Sequence, residues 1–315
     1  MSWSIGIDIG GMSIKIGLVN CEGEIISQER FATPKDVNLA IEQIEKAVKE
    51  ILSKNHLNIN DIKGIGVGCP GAVDRAIGHI IHLPNLEWAD LPFAKMIEER
   101  LPTKVVLSND VNVAVLGEAK FGVARSYENC VMLAIGTGLG SGIIINNKLY
   151  EGFQSRGAEI GHTTLVLNGL ECTCGRRGCA EVYASTTALI SQTKEAMKED
   201  RTSIMWEYVD GDINAVDGLT AFECSKKKDK TAEKVVERFI TYLGECILNI
   251  FNVFRPEALI IGGGISAQGS YLIDKLKRYC ERYEYGYKKA PITEILAAKL
   301  GNDAGIIGAA SLIDE

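Results

Sequence analysis

The chain has 315 residues, 46% hydrophobic and 24% charged, which is the make-up of an ordinary soluble protein, long for one core and about right for two domains. A formal charge of -7 argues against a polyanion-binding surface, no apolar run reaches transmembrane length, and Met1-Ser-Trp-Ser leads straight into a strand pattern with no signal peptide. Nine scattered cysteines, an odd number, fit reduced thiols plus one metal site in a cytoplasmic protein rather than a disulfide framework.

Ser4 to Asn20 reads as two strands around a Gly-Gly turn, with Ile5, Ile7 and Ile9 alternating, then Ile14, Ile16 and Leu18. The turn region carries Asp8, Gly10, Gly11, Met12, Ser13 and Lys15. Paired glycines let a backbone approach an anion and aim amide N–H groups at it, although a plain turn uses the same pair. Val37 to Leu52 has helical spacing, with Asp36 as a cap. Gly64 to Asp74 is an apolar strand ending in a Pro-Gly turn. Beyond it, Asn85 beside Trp88 suits a sugar, and equally suits a loop with one packed tryptophan; Trp88 is assigned to packing. The run after Lys104 delivers Ser108, Asn109 and Asp110 at a strand end, ahead of a helix starting at Val111. A carboxylate there is where α/β folds put chemistry, and it is also where a helix cap belongs.

Val131 to Asn146 repeats the N-terminal design of strand, Gly-rich turn and strand, with Gly136, Thr137 and Gly138 in the turn. A strand rather than a helix follows, which excludes a Rossmann reading. Gly157 to Glu181 holds His162, Cys172, Cys174 and Cys179, a four-ligand set for tetrahedral structural zinc, with Gly175 and Gly178 making the turns. A reduced cysteine-rich loop or a disulfide is the plainer alternative. The other six cysteines, Cys21 among them, are assigned to the core. Thr186 to Met197 and Thr231 to Phe254 are helical, and Lys226 to Lys228 is a solvated helix end. Ala258 to Ser266 is a buried strand entering Gly262, Gly263 and Gly264, a flat surface for a purine. The small residues after Gly301 start a helix expected to return to the N-terminal domain.

The stretch G-A-E-I-G-H followed by C-T-C-G-R-R-G-C-A-E resembles the signature of the ROK family (repressors, open reading frames and kinases), in its bacterial glucokinase-type form. Asp8-Ile-Gly-Gly resembles the family's first phosphate motif, usually D-I-G-G-T, from which Met12 departs. Asn109-Asp110 with Asn112, Ala114, Gly117, Glu118 and Gly122 matches a further segment. The resemblance spans nearly the whole chain. It implies an α/β, two-domain, actin-like or ribonuclease-H-like ATPase fold with a duplicated core and a cleft between domains. The first domain would cover 1–118 plus 299–315, the second 119–298 with the zinc loop. Asp110 would be the catalytic base. Asn85, Asn109, Asp110, Glu159, His162 and Glu181 would bind the sugar. Asp8 would organise Mg2+, while Gly10, Gly11, Met12, Ser13, Lys15, Gly136, Thr137, Gly138, Gly262, Gly263 and Gly264 would meet ATP.

The expected activity is phosphoryl transfer from MgATP to a hexose, with glucose leading over N-acetylmannosamine, N-acetylglucosamine and other hexoses. The expected partners are the sugar, ATP and a second copy of the chain, with no nucleic acid or membrane. Two other classes stand beside it. A sugar-sensing regulator would carry a DNA-binding segment ahead of Asp8, where this chain has no room for one. An actin-like ATPase without a sugar site would not need the zinc loop with Glu159 and Glu181.

Overall fold

A computed structural model describes residues 2–286 and 291–315. The chain runs β1 (Trp3–Ile9), β2 (Ser13–Asn20), β3 (Ile25–Ala32), α1 (Val37–Lys54), β4 (Ile62–Cys69), β5 (Ala72–Asp74), β6 (His79–Leu83), β7 (Trp88–Leu91), α2 (Phe93–Glu98), β8 (Val105–Asn109) and α3 (Asp110–Lys120). There follow β9 (Cys130–Ile135), β10 (Leu139–Ile145), β11 (Lys148–Tyr150), α4 (Glu181–Ala184), α5 (Thr186–Glu199), α6 (Met205–Tyr208) and α7 (Thr220–Lys226). The remainder is α8 (Lys230–Phe254), β12 (Ala258–Gly262), α9 (Ser270–Tyr283), β13 (Glu294–Ala297) and α10 (Ala304–Ser311). Two compact units result: residues 1–132, 142–158 and 299–315 form one, and residues 133–141 and 159–298 form the other.

The first unit is built on a five-stranded sheet of order β3-β2-β1-β4-β8, with β1, β4 and β8 parallel to one another and β2 antiparallel to both of its neighbours. Alternation in β1 and β2 gives the sheet two unlike faces. Ile5, Ile7, Ile9, Ile14, Ile16 and Leu18 are all buried, in one cluster with Ile41, Ile44, Val48 and Ile51 of α1. Asp36 caps that helix, accepting from Asn38 N at 2.8 Å. The other face is cut down to glycine at Gly6 and Gly66 so that α10 can lie directly on it. A Cβ at Gly6 would stand 1.9 Å from the Ile306 carbonyl oxygen, and one at Gly66 would stand 1.7 Å from that of Ala309.

A second five-stranded sheet has the order β11-β10-β9-β12-β13, the same neighbour order as the first once its strands are numbered along the chain. Its outer pairs also agree, β10–β11 antiparallel like β2–β3 and β12–β13 parallel like β4–β8. In the second unit α8 packs against α5, α7 and α9. Asp229 caps its start, and Arg255, at φ 43°, ends it one residue before Pro256. Cys21 departs from expectation: it is exposed, in the tight turn after β2. Among the described residues no helix is long and apolar enough to cross a membrane.

Candidate active site

Within the first unit, strand register brings several of the expected residues together. Asp8 faces Lys15 across the β1–β2 pair, and the two form an ion pair at 3.0 Å. Lys15 is thereby engaged with Asp8, and it also donates to Asn302 O at 3.4 Å. In the parallel direction Asp8 aligns with Gly68, and Gly68 with Ser108. Two interstrand steps, roughly 10 Å, therefore separate Asp8 from the residue that precedes Asn109-Asp110, all at one edge of the sheet. The Gly10–Ser13 turn is closed by Gly10 N to Ser13 O at 3.0 Å. Thr33 holds it from the end of β3, its hydroxyl donating to Gly10 O at 2.6 Å and its amide to Met12 O at 3.2 Å. Nothing local to Thr33 in the sequence marks this role.

Met12 is 88% exposed, so its side chain stands outside the turn. The Ser13 hydroxyl accepts from Arg30 Nε at 3.1 Å. Asn85, exposed in the short turn Pro84–Leu86, is a neighbour of Gly11: a Cβ there would lie 3.7 Å from Asn85 Cβ. Trp88 is buried beside Phe93 and donates to Lys35 O at 2.7 Å, the packing role expected of it.

Asn109, not Asp110, caps α3: its Oδ1 accepts from Val111 N at 2.9 Å, and its Nδ2 donates to Gly71 O at 3.2 Å. Asp110 is the first helical residue, partly exposed, with its Oδ1 accepting from Val111 N at 2.9 Å. Burial first, and then the nearby Asp110 charge, push the Cys69 thiol well above its ordinary range.

The second unit has a glycine turn of its own. Gly136 N bonds Gly138 O at 3.0 Å, and the start of α5 holds this turn through Thr186 N to Gly136 O at 2.9 Å and Thr187 Oγ1 to Thr137 O at 2.7 Å. A cavity of about 300 Å³ is lined by Gly136, Thr137, Thr186, Gly218, Leu219, Gly264 and Ile265. Its apolar walls suit a flat heterocycle. Gly263 sits at φ 81° with the Ile135 backbone against it, while a Cβ on Gly264 would meet nothing within 4 Å. Gly262 is buried as the last residue of β12 and is not among the residues lining this cavity. Leu219 and Thr186 line the cavity without any signal in the sequence.

His162, Cys172, Cys174 and Cys179 converge, their ligand atoms all within 4.8 Å of one another. Tetrahedral zinc with ordinary Zn–S and Zn–N bonds requires S···S edges of about 3.8 Å and S···N edges of about 3.6 Å. The cluster has Cys174 Sγ to Cys179 Sγ at 3.7 Å and Cys172 Sγ to His162 Nδ1 at 3.6 Å. These residues fit the ion, and no cysteine of the chain is in a disulfide. A bond from Arg176 N lowers the Cys174 pKa, whereas burial pushes the Cys179 thiol up to about 12, where a bound cation would favour its thiolate. Gly175 and Gly178, at φ 87° and 79°, make the turns.

Glu181 links this cluster to the glycine turn. Its Oε1 accepts from Cys172 Sγ at 3.8 Å, while its Oε2 accepts from Leu139 N at 3.0 Å and lies where a side chain on Gly138 would have to go. Glu159 is exposed, and its carbonyl accepts from His162 N at 3.1 Å. The residues assigned to the sugar divide as Asn85, Asn109 and Asp110 in the first unit and Glu159, His162 and Glu181 in the second.

Two sheets of matching order, each with a Gly-rich strand turn, and a carboxylate at the end of the first unit's last parallel strand define the actin-like ATPase fold of sugar kinases. The ROK family model matches residues 4–315, and the chain belongs to that family. It is 34% identical over 317 residues to a glucokinase of Streptomyces coelicolor, covering 100% of this chain and 98% of that protein. The solved structure of a ROK family glucokinase from Streptomyces griseus, in complex with glucose and AMPPNP, matches with a TM-score of 0.83 at 34% identity and 99% coverage of both chains. A xylose repressor of Caldicellulosiruptor bescii is 31% identical over 318 residues, which are 98% of this chain and 77% of the repressor.

Proposed function

We propose that this protein is an ATP-dependent hexose kinase that converts glucose to glucose 6-phosphate, working as a cytoplasmic homodimer. The reading rests above all on full-length similarity to glucokinases, one of them solved with glucose and AMPPNP, in a chain that keeps a strand-end aspartate on the sheet edge of its first glycine turn. Residues 1–118 with 299–315, and residues 119–298, are the functional division, which differs from the compact units over residues 119–132 and 142–158.

Asp110 accepts the proton of the attacking sugar hydroxyl. A loose phosphoryl-transfer transition state asks for little early proton removal, so an ordinary carboxylate suffices. Asn85, Asn109, Glu159, His162 and Glu181 fix the hydroxyls by donating and accepting in different directions, which is how epimers are told apart. With His162 Nδ1 on the thiolate side, its Nε2 is the nitrogen left to donate to the sugar. The adenine lies in the cavity between Thr137, Leu219 and Gly264. The backbone amides of the two glycine turns meet phosphate oxygens, where fixed donors stabilise developing charge without reorganising.

One carboxylate, Asp8, stands beside the first turn, and Mg2+ is commonly held by one or two carboxylates plus substrate phosphates; bound there it would neutralise phosphate charge. The cysteine–histidine cluster would hold zinc as a structural ion.

The experiment is a coupled ADP-release assay across a panel of hexoses, with Asp110→Asn alongside. Release that requires glucose and collapses in that variant supports the kinase, and release without sugar marks an ATPase. The similarity to a xylose repressor favours a second reading, a sugar-sensing regulator, which would bind sugar and release no ADP. Light scattering checks the dimer.

A further inference from the structure

We infer that Glu151 is a positioning residue for Asp110, an inference that rests on Asp110 being the base. Glu151 follows β11 and lies 43 positions from Ser108 in sequence, yet one of its carboxylate oxygens grips the catalytic segment from both sides. Ser108, two residues before Asp110, donates its hydroxyl to Glu151 Oε1 at 2.5 Å. Asn112, two residues after Asp110, points its Nδ2 at the same oxygen at 3.4 Å.

Both gripped side chains are buried, and the Asn112 amide oxygen finds no partner among the described residues, so Glu151 is what fixes the orientation of that amide. The second oxygen, Oε2, receives Arg75 Nη1 at 3.0 Å, which compensates the charge of a carboxylate only 10% exposed. The backbone of Glu151 is also engaged, its carbonyl accepting from Gly157 N at 2.7 Å. β8 ends at Asn109 and α3 begins at Asp110, so the strand-to-helix junction that carries Asp110 lies between Ser108 and Asn112. Fixing the two flanks limits the freedom of that junction. A general base contributes only while it holds hydrogen-bond distance from the proton it takes, and a misplacement of about 1 Å can lower turnover on the order of 100-fold.

Glu151→Ala is therefore expected to lower kcat about tenfold or more at saturating glucose and ATP, with both dissociation constants from titration calorimetry within about twofold of the parent. Glu151→Gln keeps an acceptor for Ser108 and is expected to recover most of kcat. A residue that only stabilised the fold would lower the melting temperature without this separation of kcat from binding and without rescue by glutamine. Ser108→Ala removes one hydroxyl and should show the same pattern in weaker form, which covers the case of a misfolded Glu151→Ala.

Parent kcat in both Glu151→Ala and Ser108→Ala, or binding lost in step with kcat, would overturn the assignment. Asp110→Asn, run in parallel, separates the two ideas. If that variant is dead and Glu151→Ala is normal, only the positioning role falls. If Asp110→Asn turns over normally, the base assignment and the positioning role fall together.

Discussion

Met12 sits in the glycine turn proposed to meet phosphate, with its side chain in solvent, and its backbone carbonyl accepts from Thr33 N. Threonine should therefore fit the same backbone and add a hydroxyl donor for a phosphate oxygen. Met12→Thr is expected to lower the KM for ATP, or raise kcat, by about 0.5–1.5 kcal/mol, the worth of one hydrogen bond, with the melting temperature unchanged. Steady-state ATP titration decides it. Unaltered ATP kinetics would mean that the Ser13 hydroxyl, which accepts from Arg30 and still has a proton to give, already fills the role.

Gly263 and Gly264 make a second test, since two adjacent glycines are there for different reasons. At Gly263 the backbone is left-handed and a Cβ would stand 2.2 Å from Ile135 O, so Gly263→Ala should destabilise the fold by about 1–3 kcal/mol in denaturant melts. At Gly264 a Cβ meets open space inside the cavity. Gly264→Val should leave stability alone and raise the ATP KM by about tenfold, roughly 1.4 kcal/mol. Equal loss of stability in both variants would remove the cavity from the nucleotide assignment.

The cysteine–histidine loop is wired further than its sequence indicates. The resemblance leads one to expect that metal loss disturbs the sugar contacts Glu159, His162 and Glu181 and leaves the ATP turns largely alone. Glu181, however, also holds Leu139 N, the amide that follows the Gly136–Gly138 turn. Cys174→Ser, or chelation, should therefore raise the sugar KM most, raise the ATP KM measurably as well, and lower the melting temperature. Calorimetric titration of folded, metal-depleted protein with glucose and, separately, a non-hydrolysable ATP analogue checks both arms. Unchanged sugar affinity would leave His162 as a ligand and nothing more. An unchanged nucleotide affinity would show that the Glu181–Leu139 bond survives without the ion.

Across the chain as a whole, the two ends meet in one unit. α10 lies on β1, β4 and α3 at backbone distance, which only glycine on the sheet side permits. Gly66→Ala would place a methyl 1.7 Å from the Ala309 carbonyl, where neither partner is a flexible side chain. A loss of about 1–3 kcal/mol or more in urea melts is expected, with substrate affinities following stability rather than moving separately. The same helix explains Asp8: Gly305 leaves room for its carboxylate, since a Cβ there would come within 2.7 Å of Asp8 Cγ.

What the amino-acid sequence determined was local in kind. Period-2 isoleucines gave β1 and β2, Asp36 gave the start of α1, and four ligands within eighteen residues gave the metal-type knot, because each signal acts between neighbours along the chain. It also carried Asp110 to a strand end, though the cap proved to be Asn109, since an asparagine one place earlier has the extended backbone a cap requires. Tertiary structure alone decided the Asp8–Lys15 pair, the Leu219 wall of the cavity, the second bond of Glu181 and the hold of Glu151 on Ser108 and Asn112. Each of these depends on strand register or on packing between distant segments. Hydrophobic periodicity says which face a residue takes, and says nothing of which remote residue will lie against it.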